Sequence, residues 1–188
     1  MRIISGQFKG KKILQPKDKN TRPLKDLTKE SIFNIINHSN KFKINIDDSY
    51  VLDLFSGVGS FGIDCLSRGV KKVIFVENYE KVIPILKRNL LNLKSKNNLK
   101  ILEKDIYNEN IFFNLETKFD IIFLDPPYKD KYLYELLNKI KNNKLLNKNG
   151  IIIIHRHKSQ QDLIPSDFKI IEEKKYGISK IIFTTYLN

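Results

Sequence analysis

In the stretch YVLDLFSGVGSFG, Tyr50 to Gly62, an apolar run passes directly into a glycine-rich turn. We expect YVLDL to form a strand and Ser60 to Ser67 to form a helix, so that the glycines lie at a strand-turn-helix junction. Gly57, Gly59 and Gly62 match the pattern G-x-G-x-x-G, in which glycines let the backbone approach a cofactor. By itself this pattern fits both a cofactor-binding loop and a plain turn.

On both sides of this junction, apolar runs alternate with helical patterns. Near-continuous Ile, Val and Leu runs between helices indicate parallel strands that are buried on both faces, and hence a doubly wound α/β sheet. The predicted strands are Tyr50 to Leu54, Lys71 to Glu77, Leu99 to Asp105, Phe119 to Asp125 and Gly150 to His155, and the predicted helices are Asp26 to His38, Ser60 to Ser67, Tyr79 to Lys94 and Lys131 to Asn143. Two strands around Gly177, within Phe168 to Leu187, have no helix between them, which predicts an antiparallel hairpin at the sheet edge.

The N-terminal segment differs from this alternating pattern. Arg2 to Leu14 places glycines between short apolar stretches, which predicts a small hairpin or an extended arm. The helix that follows has Thr28 and Ser31 as candidate N-terminal caps, and the loop before it contains Arg22.

Length and composition indicate a single domain. With 188 residues, 41% of them hydrophobic, we expect one domain over 1–188, in which 1–40 is an N-terminal extension and 50–188 is the core. No run approaches the roughly 18 apolar residues of a membrane span, and charge stands where a signal peptide needs an apolar core, so we expect a cytoplasmic protein without a membrane partner. Cys65 is the single cysteine and the three histidines have no zinc spacing, so we predict no disulfide within the chain and no metal.

The charge is strongly basic. Lys and Arg number 34 against 21 Asp and Glu, a net charge of +13, which favours a polyanionic partner such as nucleic acid. Lys9, Lys11, Lys12 and Arg22 are the candidates for binding RNA phosphates. Because only five of the 34 basic residues are arginines, AT-rich coding bias and ordinary solvated lysines stay open as the alternative.

Acidic residues stand at or near the ends of the predicted strands, where a doubly wound sheet binds its ligands. Glu77 ends the second strand 20 residues after Gly57, where a carboxylate can accept hydrogen bonds from ribose hydroxyls. Asp105 ends the third strand and could accept from an adenine amine while the Ile106 N–H meets a ring nitrogen. Asp53 lies inside the first strand, where burial of a carboxylate is costly unless it has a partner. That partner could be backbone N–H groups of the glycine turn or a cationic ligand such as S-adenosylmethionine. Solvated or loop-capping acids are the alternative for all three.

The most specific stretch is FLDPPYKD, Phe123 to Asp130. Pro126 and Pro127 lack N–H donors and restrict φ, so the chain must leave the sheet in a stiff, extended turn. The Asp125 carboxylate and the Pro126 carbonyl can accept from an exocyclic amine, and the Tyr128 ring can stack on a base, which is worth about 1–3 kcal/mol. The alternative is a plain strand exit with a surface tyrosine.

These motifs resemble those of a known family. DPPY, Asp125 to Tyr128, is similar to the [DNS]-P-P-[YFW] signature of amino-methyltransferases, which use S-adenosylmethionine to methylate exocyclic amines of bases in DNA or RNA. The segments that carry a closer resemblance, to the bacterial 16S ribosomal RNA guanine-N2 methyltransferases, are MRIISGQFKGKK, TRPLKDLTKESIFNII, LDLFSGVGSFGIDCLSRG, VENYEKVIPILKRNL, FLDPPY and KKYGISKIIF. This resemblance covers essentially the whole chain.

The resemblance implies a class I methyltransferase fold with strand order 3-2-1-4-5-7-6, and methylation of N2 of one guanine in small-subunit ribosomal RNA. It also implies S-adenosyl-L-methionine as cofactor, 16S ribosomal RNA or the assembling small subunit as partner, and a monomeric protein. The residues implied are Asp53, Phe55, Gly57 and Gly59 on the methionine side of the cofactor, Glu77 at its ribose, Asp105 and Ile106 at its adenine, Ser56 and Asn78 as further cofactor contacts, and Asp125, Pro126, Pro127 and Tyr128 as catalytic residues that hold the guanine.

Two features depart from the family pattern. Leu24 and Leu27 stand where R-P-T-x-D-R-x-[KR]-E would have a threonine and an arginine. His155 and Arg156 stand where an acid is often found, and we assign them no role from the sequence.

Three other functions compete with this interpretation. A DNA adenine-N6 or cytosine-N4 methyltransferase shares DPPY, but it typically carries a target-recognition insertion for which 188 residues leave no room. An NAD-dependent oxidoreductase shares the glycine pattern, but the chain offers no Ser-Tyr-Lys or histidine catalytic set. A non-catalytic RNA-binding module fits the charge and leaves the strand-end acids unexplained.

Overall fold

The structure is a computed structural model that describes residues 1–17, 24–93, 98–107, 111–115 and 117–187. These residues form a seven-stranded sheet with helices on both faces. The strands are β1 (Tyr50–Leu54), β2 (Lys72–Val76), β3 (Leu99–Leu102), β4 (Phe119–Leu124), β5 (Leu146–His157), β6 (Phe168–Tyr176) and β7 (Ser179–Tyr186). The helices are α1 (Asp26–His38), α2 (Ser60–Ser67), α3 (Ile83–Leu91) and α4 (Leu133–Asn142), with short 3-10 turns at Ile46–Asp48 and Ile111–Asn114.

The sheet has the strand order β3-β2-β1-β4-β5-β7-β6, which confirms the predicted order 3-2-1-4-5-7-6. The first five strands pair in parallel, whereas β7 is antiparallel to both β5 and β6. The predicted edge hairpin is therefore confirmed. This is the strand order that the resemblance to class I methyltransferases implies.

Alternate residues of each central strand point to opposite faces, and each face has its own core. On one face, Val51 and Phe123 pack with α1, α2 and α3, and Phe61 stacks between Phe33 and Phe123 with ring centroids 5.4 and 4.1 Å away. On the other face, Leu52 packs with the apolar side of α4. Because both faces are covered, these strands read as unbroken apolar runs in the sequence.

Several predicted boundaries differ from the structure. α3 is shorter than predicted, since Pro84 lies in its first turn, where proline is favoured. β3 ends at Leu102, before Asp105, whereas β5 begins earlier, at Leu146, because its polar start hid it from the hydrophobic pattern. Helix α1 has the predicted bounds, but the predicted caps are wrong.

The N-terminal cap of α1 is Lys25, which makes no side-chain capping bond. Thr28 is buried instead, and the Ser31 hydroxyl bonds the hydroxyl of Tyr176 on β6. These side chains contribute to packing between elements, which a capping rule based on local sequence does not consider.

The N-terminal arm is a hairpin closed by an antiparallel bridge between Arg2 and Lys12, as predicted. Its turn rests on the last residue of α2, because the Gln7 N–H donates to the Ser67 carbonyl at 2.7 Å. A Cβ on Gly6 would lie 1.8 Å from that carbonyl oxygen, so only glycine permits this approach. Among the described residues, no helix is long and apolar enough to cross a membrane.

Candidate active site

A cavity of about 590 Å³ opens at the carboxyl ends of the central strands. It lies beside the end of β1, between the ends of β2 and β4. The strand order reverses direction there, and doubly wound sheets bind ligands at such a switch point. Of the predicted site residues, it is lined by Asp53, Phe55, Ser56, Gly57, Glu77, Asp125, Pro126, Pro127 and Tyr128. Gly59, Asn78, Asp105, Ile106 and the arm lysines do not line it, and Arg22 falls outside the described residues.

The turn after β1 is built by residues with positive φ. Phe55, Gly57 and Gly59 have φ values of 59°, 55° and 83°. A Cβ on Gly57 would meet nothing within 4 Å, so this side of the turn is open to a ligand. A Cβ on Gly59 would instead lie 2.6 Å from Leu86 Cδ1 of α3, so this position needs glycine for packing and for its backbone conformation.

Gly62 connects the turn to Asp53. Its N–H donates to Asp53 Oδ2 at 2.9 Å, and a Cβ there would lie 2.3 Å from Phe75 Cε1. The helix can lie this close to β2 only because residue 62 has no side chain.

We therefore expect Gly62→Ala to destabilise the protein by about 1–3 kcal/mol, because the added methyl group overpacks a close helix-strand contact. Urea unfolding measures this loss. Asn34→Ala, an exposed change on α1, serves as control and should stay within about 0.5 kcal/mol of the wild type. A Gly62→Ala protein as stable as the wild type would show that the contact is not tight.

Asp53 gives the cavity wall an acidic character. Its residue is 1% exposed, and burial raises the pKa of its carboxyl group well above the usual value. The Gly62 N–H partly opposes this rise, whereas the charges of Asp125 and Glu77 add to it. Three carboxyl groups thus converge on one cavity, which favours a cationic ligand there.

Glu77 joins the glycine turn to the chain that follows β2. Its Oε2 accepts from the Gly57 N–H at 2.6 Å, and its Oε1 accepts from the N–H groups of Asn78 and Tyr79 at 3.0 and 2.8 Å. A carboxylate has about four acceptor sites, so these three bonds leave room for one more donor. Asn78 thus contributes its backbone to Glu77 and does not line the cavity.

Asp105 and Ile106 lie beyond the end of β3, outside the cavity lining. Asp105 Oδ1 accepts from the Tyr107 N–H at 2.8 Å, and Ile106 is buried in the core on the α4 side. Tyr107 itself lies beside Phe55 of the glycine turn, with ring centroids 5.9 Å apart. This segment therefore borders the turn that lines the cavity.

The DPPY turn leaves β4 next to the end of β1, where the Asp125 N–H donates to the Leu54 carbonyl at 3.4 Å. Arg156 on β5 holds the rest of the turn, since Nη1 donates to the Pro127 carbonyl at 3.1 Å and Nη2 to the Asp130 carbonyl at 2.7 Å. Arg156 is 1% exposed and is paired with Asp162, with Nη2 and Oδ1 2.7 Å apart. A buried, paired guanidinium thus shapes the turn.

His155, the neighbour of Arg156, contacts Asp125 directly. Its Nδ1 lies 2.8 Å from Asp125 Oδ1, and its Nε2 lies 2.9 Å from the Ser179 hydroxyl on β7. No role for His155 and Arg156 was predicted from the sequence. They lie near the carboxyl end of β5, next to β4, so their position matches that of the strand-end acids and could have identified them.

The cavity has further lining residues that the sequence motifs did not identify. They are Leu24, Val58, Ser60, Phe61, Tyr79, Phe123, Lys129 and His155. Leu24, one of the two departures from the family pattern, is 3% exposed, whereas the other, Leu27, is 71% exposed on α1. Leu24 therefore contributes an apolar surface to the cavity, and Leu27 faces solvent.

The predicted phosphate-binding lysines lie on the arm. Lys9, Lys11 and Lys12 are exposed, and Lys11 Nζ lies 3.5 Å from the carbonyl of Asn92, just past the end of α3. Helix α2 begins at the cavity and spans about 12 Å to Ser67, where the arm rests. The tip of the arm is thus at the far end of this helix from the cavity.

Comparison with known proteins agrees with this geometry. The profile of the family described as Conserved hypothetical protein 95 matches residues 1–185. The chain is 31% identical over 183 residues to the ribosomal RNA small subunit methyltransferase D of Haemophilus influenzae, covering 95% of this chain and 90% of that one. It is 29% identical over 181 residues to the protein of the same name from Escherichia coli, with 94% and 85% covered.

A solved structure from Escherichia coli, described as a methyltransferase, has a TM-score of 0.81 and 25% identity and covers 99% of this chain and 97% of that one. The resemblance seen in the motifs is thus confirmed along nearly the whole chain. The chain belongs to the family described as Conserved hypothetical protein 95, which includes the ribosomal RNA small subunit methyltransferases D.

Proposed function

We propose that the protein transfers a methyl group from S-adenosyl-L-methionine to the exocyclic N2 amine of a guanine in 16S ribosomal RNA. One observation supports this most strongly: the DPPY turn and the glycine turn open onto the same cavity. The hydrogen-bond acceptors of the DPPY turn, which suit an amine, therefore share one cavity with the carboxyl groups beside the glycine turn, which suit a cationic methyl donor. The names of the relatives support small-subunit ribosomal RNA as the substrate class.

The residues of the cavity fit this cofactor. Asp53 and Glu77 on the cofactor side of the cavity favour a cationic cofactor, whereas they would repel the pyrophosphate of NAD. The Ser60 hydroxyl, at the start of α2, is buried without a hydrogen-bond partner among the residues that the structure describes. A polar ligand group in the cavity would give it one.

We assign the methionine side of the cofactor to Asp53, Phe55, Ser56 and Gly57, and the ribose to Glu77. The adenine would lie toward Asp105 and Ile106, in the segment that borders the glycine turn. When bound, the cofactor supplies an electrophilic methyl group.

The DPPY residues would act on the base. A guanine flipped out of its stack can lie against the Tyr128 ring, while Asp125 and the Pro126 carbonyl accept the two hydrogens of its amine. This leaves the nitrogen lone pair directed at the methyl group, as a displacement at carbon requires. As the new N–C bond forms, the sulfonium S–C bond breaks and its electron pair stays on sulfur, which leaves as a neutral thioether. The amine becomes cationic, and it then loses one proton to Asp125 or to water.

Glu77→Gln should weaken cofactor binding by about tenfold or more. In one orientation the glutamine NH₂ group faces the Gly57 N–H, and in the other it faces the N–H groups of Asn78 and Tyr79. Either way the side chain no longer joins the glycine turn to the segment after β2. Calorimetric titration with S-adenosylmethionine measures the change. Glu80→Gln, an exposed change nearby, is the control, and a Glu77→Gln protein with wild-type affinity would contradict the assignment.

The proposal is tested by giving the purified protein methyl-labelled S-adenosylmethionine and one of three substrates: naked 16S RNA, small subunits lacking the modification, or duplex DNA. Digestion to nucleosides should place the label in N2-methylguanosine of the RNA. Label in N6-methyladenine or N4-methylcytosine of DNA would favour the DNA enzyme. RNA binding without methyl transfer would favour a non-catalytic module, and binding of NADH without binding of S-adenosylmethionine would favour an oxidoreductase.

We also propose that the protein acts as a monomer. Sedimentation at micromolar concentration tests this.

A further inference from the structure

His155 is buried between Asp125 and Ser179. Its residue is 4% exposed and Ser179 is 6% exposed, and each ring nitrogen has a partner within 2.9 Å. We propose that His155 is a positioning residue, which fixes the Asp125 carboxylate for the substrate amine. This inference rests on the proposed function.

The direction of each hydrogen bond follows from chemistry. An ionised Asp125 carboxylate can only accept, so His155 Nδ1 must carry the hydrogen of the bond between them. In the neutral ring, Nε2 then has no hydrogen and accepts one from the Ser179 hydroxyl. Asp125 therefore selects the tautomer of His155, and the Ser179 hydroxyl on β7 donates to the other ring nitrogen and holds the ring in place.

Asp125 needs such a partner. Its side chain is 22% exposed, and it faces a cavity that also contains the carboxyl groups of Asp53 and Glu77. Repulsion from these groups favours rotation of Asp125 away from the cavity. The bond from His155 occupies Oδ1 and opposes that rotation, so Oδ2 can face the substrate amine.

Two substitutions separate this role from simple packing. His155→Asn keeps an N–H close to the position of Nδ1, whereas His155→Leu fills a similar volume without a donor. We expect His155→Leu to lower kcat by about tenfold or more, with the KM for RNA and the Kd for S-adenosylmethionine within about threefold of wild type. His155→Asn should keep kcat within about threefold of wild type.

Ser179 provides a second, independent test. Ser179→Ala should lower kcat by a few fold, because Nε2 loses its hydrogen-bond donor and the ring is held less firmly against Asp125, and Ser179→Thr should restore kcat. In the His155→Asn background, Ser179→Ala should have no further effect on kcat, because asparagine does not reach the Ser179 hydroxyl. His38→Asn, an exposed change at the end of α1, is the matched control for the histidine variants and should leave kcat unchanged.

The proposal is overturned if His155→Leu keeps the wild-type kcat, or if His155→Asn loses as much activity as His155→Leu. Thermal unfolding verifies that each variant is folded. If His155→Leu does not fold, the Ser179 variants provide the test. A kcat that falls in Ser179→Ala and returns to the wild-type value in Ser179→Thr supports the proposal. Equal kcat values in the two variants overturn it. Failure of the proposed function is distinguishable, because the wild-type protein itself would then transfer no methyl group to RNA.

Discussion

Asp125→Ala should lower kcat for methyl transfer by at least about 100-fold while leaving the affinity for S-adenosylmethionine within about threefold of wild type. The amine of guanine is a poor nucleophile, because its lone pair is delocalised into the ring. Its reactivity in this cavity depends on acceptors that fix its two hydrogens, and removing a preorganised group of this kind costs about 10²–10³ in rate. Asp125 follows β4 and Glu77 follows β2, on opposite sides of β1, so the contacts of Glu77 stay in place.

Label transfer to RNA and calorimetric titration of the same protein measure the two quantities separately. Asp47→Ala, an exposed change in the 3-10 turn before β1, is the control and should not alter either quantity. An Asp125→Ala protein with kcat within a few fold of wild type would show that Asp125 does not orient the amine.

The second large effect is expected at Lys29, which joins the N-terminal arm and α1 to α2. Its side chain is fully buried, and Nζ lies 2.6 Å from Asp64 Oδ2 and 3.0 Å from the Arg2 carbonyl oxygen. Lys29→Met would leave the buried Asp64 carboxylate without its cation. Breaking a buried pair in this way costs about 3–5 kcal/mol of the free energy of unfolding.

This loss should depend on pH. Burial already raises the pKa of Asp64, and Lys29 opposes that rise, so the pKa increases further without Lys29. A carboxyl group with a raised pKa binds a proton more readily in the folded protein, so its contribution to stability falls as pH increases through that pKa. The destabilisation by Lys29→Met should therefore be larger at pH 7 than at pH 5.

Urea unfolding at the two pH values measures the effect. Lys43→Met, an exposed change, should stay within about 0.5 kcal/mol of wild type. The double variant Lys29→Met, Asp64→Leu should recover much of the loss, because no charge is then buried. A loss below about 1 kcal/mol for Lys29→Met alone would show that the pair contributes little to holding the arm in place.

The fold could be predicted because buried parallel strands and amphipathic helices leave different periodic patterns. Where the pattern is polar, prediction failed: Asn147 to Gly150 look like a loop in the sequence, although β5 begins before them, at Leu146, which pairs with Phe119 of β4. Propensity rules also failed at Thr28 and Ser31, where contacts between elements decide the side-chain roles.

The acidic part of the candidate site could also be predicted from the pattern of parallel strands. Asp53, Glu77 and Asp125 converge because parallel strands end at one edge, which the strand order alone implies. Gly59 could not be separated from Gly57, since both match the same glycine pattern and only the packing of Leu86 distinguishes them. The hydrogen bond between His155 and Asp125 depends on the depth to which β5 extends beside β4, and local sequence does not fix that depth.

Methyl transfer to N2 of one guanine in small-subunit RNA predicts a specific change in the ribosomal RNA of cells that lack the protein. Nucleoside mass spectrometry of 16S RNA from a strain lacking the gene should show the loss of one N2-methylguanosine per subunit. The wild-type gene should restore it and the Asp125→Ala gene should not. An unchanged N2-methylguanosine content in the deletion strain would contradict the account.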